Sequence, residues 1–527
     1  MAIAVAHLFV FTAALSPVAY ALLAGLCILL DHAESGPAAA AFAPLTQRWF
    51  DSLWNSAILV TVAATVALGG GTLLGYLLAR TRARLLENLL IAIACVPYAA
   101  LITFILAPIH FWLLYGSLLL CGVAHGLVFL PLAALGLGRA FASVDRDLTD
   151  AARLDAGDGP LLRRVLIPSA MWAYVALGAY LALFVLTDYS ISDLFRIRTF
   201  AEEIYLQYAL DTSLGRAALT GLPVLVLGIP LLLAALRYLR HHGTWDASAV
   251  AEFSAPTNRP STIAQRRRAP QGTSPHFIPG NPPPAVRWAA RAASSIILLT
   301  ALAIVAVVAA RLDSPADFLT RTASMRDELL NTAIVSIASV ACLLAVAVGF
   351  AWMFLRTRRG RFAILAGVTL ILATPAPVIA IALISLLNRP GLPGLIYDSP
   401  AAMILGLFVR FLPFAILLLA PAVQRIPRTL EESMKLDGAT WFDAQVHLFW
   451  PNLVRDLAFC ALVLLVATFG EIACTMLLVP PGFPTVPVRA YSLLHFGVYQ
   501  DLAALALAST ASILAIVFAA RLILRRR

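Results

Sequence analysis

The sequence predicts an all-α polytopic membrane protein with about twelve transmembrane helices, laid out as two parallel six-helix repeats. Three observations predict it. The first is composition: 61% of the 527 residues are hydrophobic and 13% are charged, with a mean hydropathy of +0.88. A soluble chain of this length would expose too much apolar surface. The second is a series of apolar windows long enough to cross a bilayer. Ser52 to Ala79 and Leu329 to Leu355 hold no charge at all. The third is duplication. Asn55 to Arg80 is 25 positions, as is Asn331 to Arg356; Pro131 to Asp150 is 19, as is Pro413 to Glu432; Pro168 to Asp188 is 20, as is Pro451 to Glu471. Polar and proline landmarks in register mark a repeated unit.

In the first half (1–240) the expected spans lie near 8–30, 53–79, 88–108, 116–138, 171–191 and 216–239; in the second (289–527) they lie near 292–310, 329–355, 363–387, 401–423, 457–479 and 501–520. The stretch 8–30 lacks a basic n-region and a small-residue cleavage site, so it reads as a retained first helix. Residues 241–288 are rich in Pro, Ser, Thr and Arg, with Pro282, Pro283 and Pro284 in a row. They read as a flexible linker between two similar halves.

The arginines set the orientation, because cytoplasmic loops carry the Lys/Arg excess. Arg80, Arg82 and Arg84 follow the second span; Arg356, Arg358, Arg359 and Arg361 follow the eighth; Arg237 and Arg240, Arg266 to Arg268 and Arg525 to Arg527 fall on the same side. Both termini of a multi-pass membrane protein are therefore expected in the cytoplasm. The same asymmetry accounts for the net charge of +10. The basic residues are scattered between spans without aromatic interleaving, which argues against nucleic acid as a partner. The six cysteines lie in apolar spans without paired spacing and read as small buried hydrophobes. No metal-ligand cluster, Gly-rich phosphate loop or nucleophile motif is present. The sequence therefore assigns no catalytic residue, cofactor or metal, and any ATP-driven work falls to another polypeptide.

One polar segment is written twice: DLTDAARLDAGDGPLLRRVLIP at 147–168 and TLEESMKLDGATWFDAQVHLFWP at 429–451. Glu432 is followed by Gly438 and then by Pro451. In the first copy Asp150, Ala151 and Ala152 open the loop, Ala156 or Gly157 takes the glycine position, and Pro168 closes it one residue early. An acid favours a helix N-terminus, small neighbours admit a close partner surface, a glycine can end a helix in the left-handed region, and the proline marks the start of the next span. Such a helix is too polar to rest on lipid alone and suits a cleft on a soluble partner.

These residues resemble the EAA loop of permease subunits of bacterial ABC importers: an acid followed by two alanines, a glycine six positions after the acid, and a hydrophobic–Pro pair thirteen positions later. The second copy keeps the spacing but has Ser433 and Met434 for the alanines; the first keeps the alanines but shortens the acid and the loop. The resemblance covers nearly the whole chain and implies a type I importer fold. It further implies a cytoplasmic ATPase subunit, in two copies, docked on the two loops, a periplasmic substrate-binding protein, and surrounding lipid.

Three charges fall in the apolar regions. Asp188 and Glu471 occupy equivalent positions, roughly 20 Å up their helices at 1.5 Å per residue. They attract a cationic substrate, or they pair with a polar neighbour or face water. Arg410, whose counterpart is Val128, pairs with Glu471 or sits near the cytoplasmic exit. His125 reads as a packed or hydrogen-bonded helix residue.

The stretch from Gly470 to Gly497, with Thr485, Arg489, Tyr491 and His495, together with TDYSISDLF and TFAEEIYLQY in the first half, resembles the ferric-iron branch of fused ABC permeases. Thiamine and phosphonate permeases share the fused plan. Tyr491 and His495 read as metal ligands or, preferably, as contacts with the binding protein. A secondary transporter requires inverted halves and a broken helix at midplane, whereas both polar loops here fall on one side. A membrane-embedded enzyme requires a convergent polar constellation that the spans lack.

Overall fold

The computed structural model describes residues 15–20, 47–81, 83–94, 96, 117–144, 148–152, 158–188, 190–211 and 282–526. Most of these residues are helical, with no strand among them. Among the described residues seven helices are long and apolar enough to cross a membrane, and two further pairs qualify together across a sharp bend. The expected spans at 8–30, 88–108 and 216–239 lie wholly or largely outside the described residues, as does the linker up to residue 281.

In the first half α1 (Gln47–Thr81) is followed by α2 (Arg84–Ala94), α3 (Leu118–Ala142), a π-helical segment π1 (Leu161–Leu166), α4 (Met171–Thr187), α5 (Ser190–Leu194) and α6 (Phe200–Asp211). The second half opens with α7 (Pro284–Ala309) and α8 (Pro315–Ser324). It continues through α9 (Arg326–Arg356), α10 (Arg358–Ala373), α11 (Ala376–Leu387), α12 (Ala401–Gln424) and α13 (Arg428–Leu436). It ends with π2 (Ala444–Phe449), α14 (Trp450–Phe469), α15 (Thr475–Leu478), α16 (Val486–His495) and α17 (Tyr499–Arg526). Helix α7 starts at Pro284, inside the expected linker, because proline is preorganised for the first helical position. Its face of Trp288, Ile296, Leu299 and Leu302 is exposed, as suits a helix solvated by lipid.

The long helices pair in the same way in each half, α1 with α3 and α9 with α12. Lipid offers no hydrophobic drive between helices, so small residues that let backbones touch carry the packing. On α1, a Cβ at Gly75 would stand 2.8 Å from the Gly138 nitrogen and 3.0 Å from the Ala134 carbonyl oxygen of α3. Ala351 holds the equivalent place on α9 and is fully buried. The halves meet where Leu186, Phe200 and Ile204 pack with Val378, Ile381 and Ala382, and where the Tyr180 ring lies edge-on to Phe414 at 5.8 Å.

Three expected spans are corrected. The span at 363–387 is two helices bent by 102°: Thr374 precedes Pro375 and is held extended (φ −84, ψ 125), because the proline ring excludes the helical region for its predecessor. The span at 171–191 stops at Thr187, and the one at 457–479 starts earlier and stops at Phe469, where Gly470 ends it. In both cases the chain breaks and restarts as a short helix, so Asp188 and Glu471 sit at helix ends and not part-way up a helix.

The α1–α3 contact gives a paired test. Gly75→Ala should cost about 1–3 kcal/mol by overpacking. Gly69→Ala, whose Cβ meets nothing within 4 Å, should be neutral. Thermal unfolding of the detergent-solubilised variants measures the difference, and equal midpoints would refute close backbone packing.

Candidate functional site

The repeated loops meet the ends of the two long helices through buried arginines. Arg356, near the end of α9, forms an ion pair with Glu431 of α13 (Nε to Oε1 2.8 Å), with both side chains about nine-tenths buried (11% and 8% exposed). Its Nη2 donates to the Ile426 carbonyl at 2.6 Å. Trp352, one turn earlier, donates its indole N–H to the other Glu431 oxygen at 2.9 Å and lies edge-on to Trp441 at 6.1 Å. In the first half Arg80 is fully buried at the end of α1 and pairs with Asp158 (Nε to Oδ1 3.3 Å). Tyr76, four residues before Arg80 as Trp352 is before Arg356, is buried beside it. Thr149, also buried, takes the place of Glu431. The arginine is thus kept, while its acid moves from the start of the loop helix to the far side of the loop.

Helix α13 begins at Arg428, so Glu431 lies in its first turn and Glu432 beyond it, on an exposed face. The favourable interaction with the helix dipole therefore belongs to Glu431 more than to Glu432. Gly438 has φ +78 with open space around it. The Ala439 N–H reaches the Met434 carbonyl at 2.9 Å and the Gly438 N–H reaches Lys435 at 3.1 Å, the paired bonds of a left-handed helix stop. Thr440 and Asp443 then cap the next turn reciprocally (2.8 Å and 3.2 Å). Leu430, Leu436 and Phe442 stand exposed around this turn. In the first loop Asp150 is half-buried, Ala151 is exposed and Ala152 half-buried; Ala156 and Gly157 lie outside the described residues.

Both loops lead into π-helical segments in the same register, π1 two residues before Pro168 and π2 two residues before Pro451. Each closes with a bond spanning five residues, Ile167 to Leu162 and Trp450 to Gln445. A proline has no N–H for the carbonyl one turn back, and a wider turn re-routes the neighbouring bonds around that gap.

The acids deeper in the fold are paired and capping. Glu471 faces Arg410 (Oε1 to Nε 3.5 Å) and accepts the backbone N–H groups of Cys474 (2.9 Å) and Thr475 (3.1 Å), at the start of α15. Asp188 faces His125 Nε2 at 3.3 Å and accepts the Ile191 N–H of α5 at 3.4 Å. His125 Nδ1 donates to the Cys121 carbonyl at 2.9 Å. The partner of the acid in the first half thus comes from one helical turn before Val128. Each acid satisfies the free N–H groups of the short helix after the break.

Sequence reasoning missed a latch at the opposite ends of α1 and α9. Asn55 donates to the Arg198 carbonyl and the Ser56 hydroxyl accepts the Phe200 N–H (3.0 Å and 2.9 Å). Asn331 donates to the Pro484 carbonyl and the Thr332 hydroxyl accepts the Val486 N–H (3.0 Å and 2.8 Å). The recurrence of Asn-Ser and Asn-Thr at matching places was the available signal. Glu431 was missed because the loop pattern drew attention to its neighbour.

Glu431→Ala should cost about 3–5 kcal/mol, because it leaves Arg356 buried and uncompensated. Glu432→Ala should stay within about 0.5 kcal/mol. Chemical or thermal unfolding in detergent distinguishes them, and the reverse ranking would show that Glu432 is the structural acid.

A comparison with curated proteins gives no match. Residues 334–527, from within α9 to the end of the chain, match the family described as "Binding-protein-dependent transport system inner membrane component". The family implies an ATPase and a substrate-binding protein as partners in general and points to a non-enzymatic membrane component. With the apolar helices, the match indicates a multi-pass inner-membrane permease component of a binding-protein-dependent ABC transport system.

Proposed function

We propose that this chain is a fused permease, with halves at 1–240 and 289–527 joined by the linker 241–288, and that it forms the whole translocation pathway of an importer. The observation that carries the reading is the recurrence of one contact set in both halves. A buried arginine meets the polar loop at one end of the long helix, and an asparagine–hydroxyl latch holds the start of α6 or α16 at the other. On this reading the loops at 147–168 and 429–451 face the cytoplasm with both termini. Each takes one copy of the ATPase, with Asp150, Ala151, Ala152, Gly157 and Pro168 in one loop and Glu432, Gly438 and Pro451 in the other. Exposed Leu430, Leu436 and Phe442 supply apolar surface for that contact. Asp188, Glu471 and Arg410 lie beside the pathway.

The substrate proposed is ferric iron delivered by a periplasmic binding protein, on the resemblance of the outer segments and the paired acids. The same architecture serves thiamine or phosphonate. Reconstituted with its ATPase and binding protein, the complex should take up ferric iron in an ATP-dependent manner. Uptake of thiamine or phosphonate in its place replaces the substrate and keeps the class.

Coupling is tested at the second loop. Gly438→Val forces a β-branched residue into a left-handed position, a strain of about 1–2 kcal/mol, and Glu432→Lys reverses the charge on the exposed face. The double variant should lose transport and co-purify less ATPase while remaining folded. Normal transport would exclude this loop as the docking element.

A further inference from the structure

The seam between the halves brings a mixed donor set together near the latches. Asp193 on α5 receives the Tyr491 hydroxyl of α16 at 2.5 Å and faces His495 Nε2, one turn along α16, at 2.9 Å. The Tyr491 and His495 rings lie 4.1 Å apart, and His495 Nδ1 donates to the Tyr491 carbonyl at 2.9 Å, which leaves Nε2 turned to the carboxylate. Glu202 on α6 is within electrostatic reach of both Asp193 and Tyr491. Its Oε2 is buried and, among the described residues, has no hydrogen-bond partner. The other charged or titratable groups in reach are Arg198, Glu203 and Tyr205. Residues of both halves are required, so neither half holds this set alone.

We propose that Asp193, Tyr491 and His495, with Glu202 behind them, form a receiving site for a hard, multiply charged cation at the seam between the halves. The inference rests on the reading of this chain as an importer of a cationic substrate. Carboxylate and phenol oxygens suit hard cations, and imidazole extends the set to iron. Among the described residues no group of three His, Cys, Asp or Glu side chains could hold a metal ion by itself, so the set needs the Tyr491 oxygen and is an open one. An open set fits transit, where an ion must bind firmly enough to arrive and loosely enough to leave. On binding, the cation takes the place of the Tyr491 hydroxyl proton, which leaves to water.

The full chain in phosphatidylcholine nanodiscs can be titrated with terbium(III), a hard trivalent ion whose emission is sensitised by nearby tyrosine. Saturable tyrosine-sensitised emission is expected. Asp193→Asn and His495→Gln should each shift the midpoint at least about tenfold. Absence of saturable emission in the wild type, or an unchanged midpoint in both variants, overturns the site. If these variants do not fold, Glu202→Gln decides: it removes the charge and keeps one carbonyl oxygen for the Thr199 backbone N–H, and an unchanged midpoint overturns the proposal. Ferric uptake by the reconstituted complex is scored separately. Terbium binding without ferric uptake removes the substrate assignment and leaves the site.

Discussion

The arginine at the end of each long helix is the constraint around which the loops are built. A guanidinium cannot shed its charge in a protein, so a buried one obliges the chain to bring it an acid and carbonyl oxygens. Arg356 obtains Glu431 and the Ile426 carbonyl, and Arg80 obtains Asp158. The loop cannot drift from the helix without leaving a charge stranded, which costs far more than a surface contact. The aromatic wall of Trp352 and Trp441 in one half and Tyr76 in the other shields these pairs.

The deeper acids follow the same logic with different partners. Each helix break exposes backbone N–H groups where water is scarce, and unsatisfied groups there are costly. Asp188 and Glu471 meet that demand and are in turn balanced by His125 and Arg410. One carboxylate thus serves as cap and counter-ion together, which ties the position of the short helix to a charge on a neighbouring span.

Much of this was legible in the sequence. Apolar windows located the long helices expected near 53–79, 116–138, 292–310, 329–355, 401–423 and 501–520, and the equal spacings located Asn55, Asn331, Arg80 and Arg356 as marked positions. Gly438 was readable as a left-handed stop because few other residues tolerate that backbone. The bends were not readable from hydropathy, which sees Thr374 and Pro375 as part of one apolar run; only the proline's effect on its predecessor marks the break. Glu431 was hidden for a related reason. Two adjacent acids look alike in a pattern, and only three-dimensional packing decides which of them turns inward.

Helix α9 is fastened at both ends: Asn331 and Thr332 hold the segment around Pro484 and Val486, and Arg356 holds the loop helix. The residues between Thr332 and Arg356 form one unbroken helix about 36 Å long at 1.5 Å per residue. Such a rod transmits displacement by geometry alone. A tilt of about 10° about one fastened end carries the other through about 6 Å, more than one helical turn. A push on α16 at one face therefore arrives at α13 on the other as a lever stroke, with no relay of side chains between them, and α1 offers the first half a rod of the same kind.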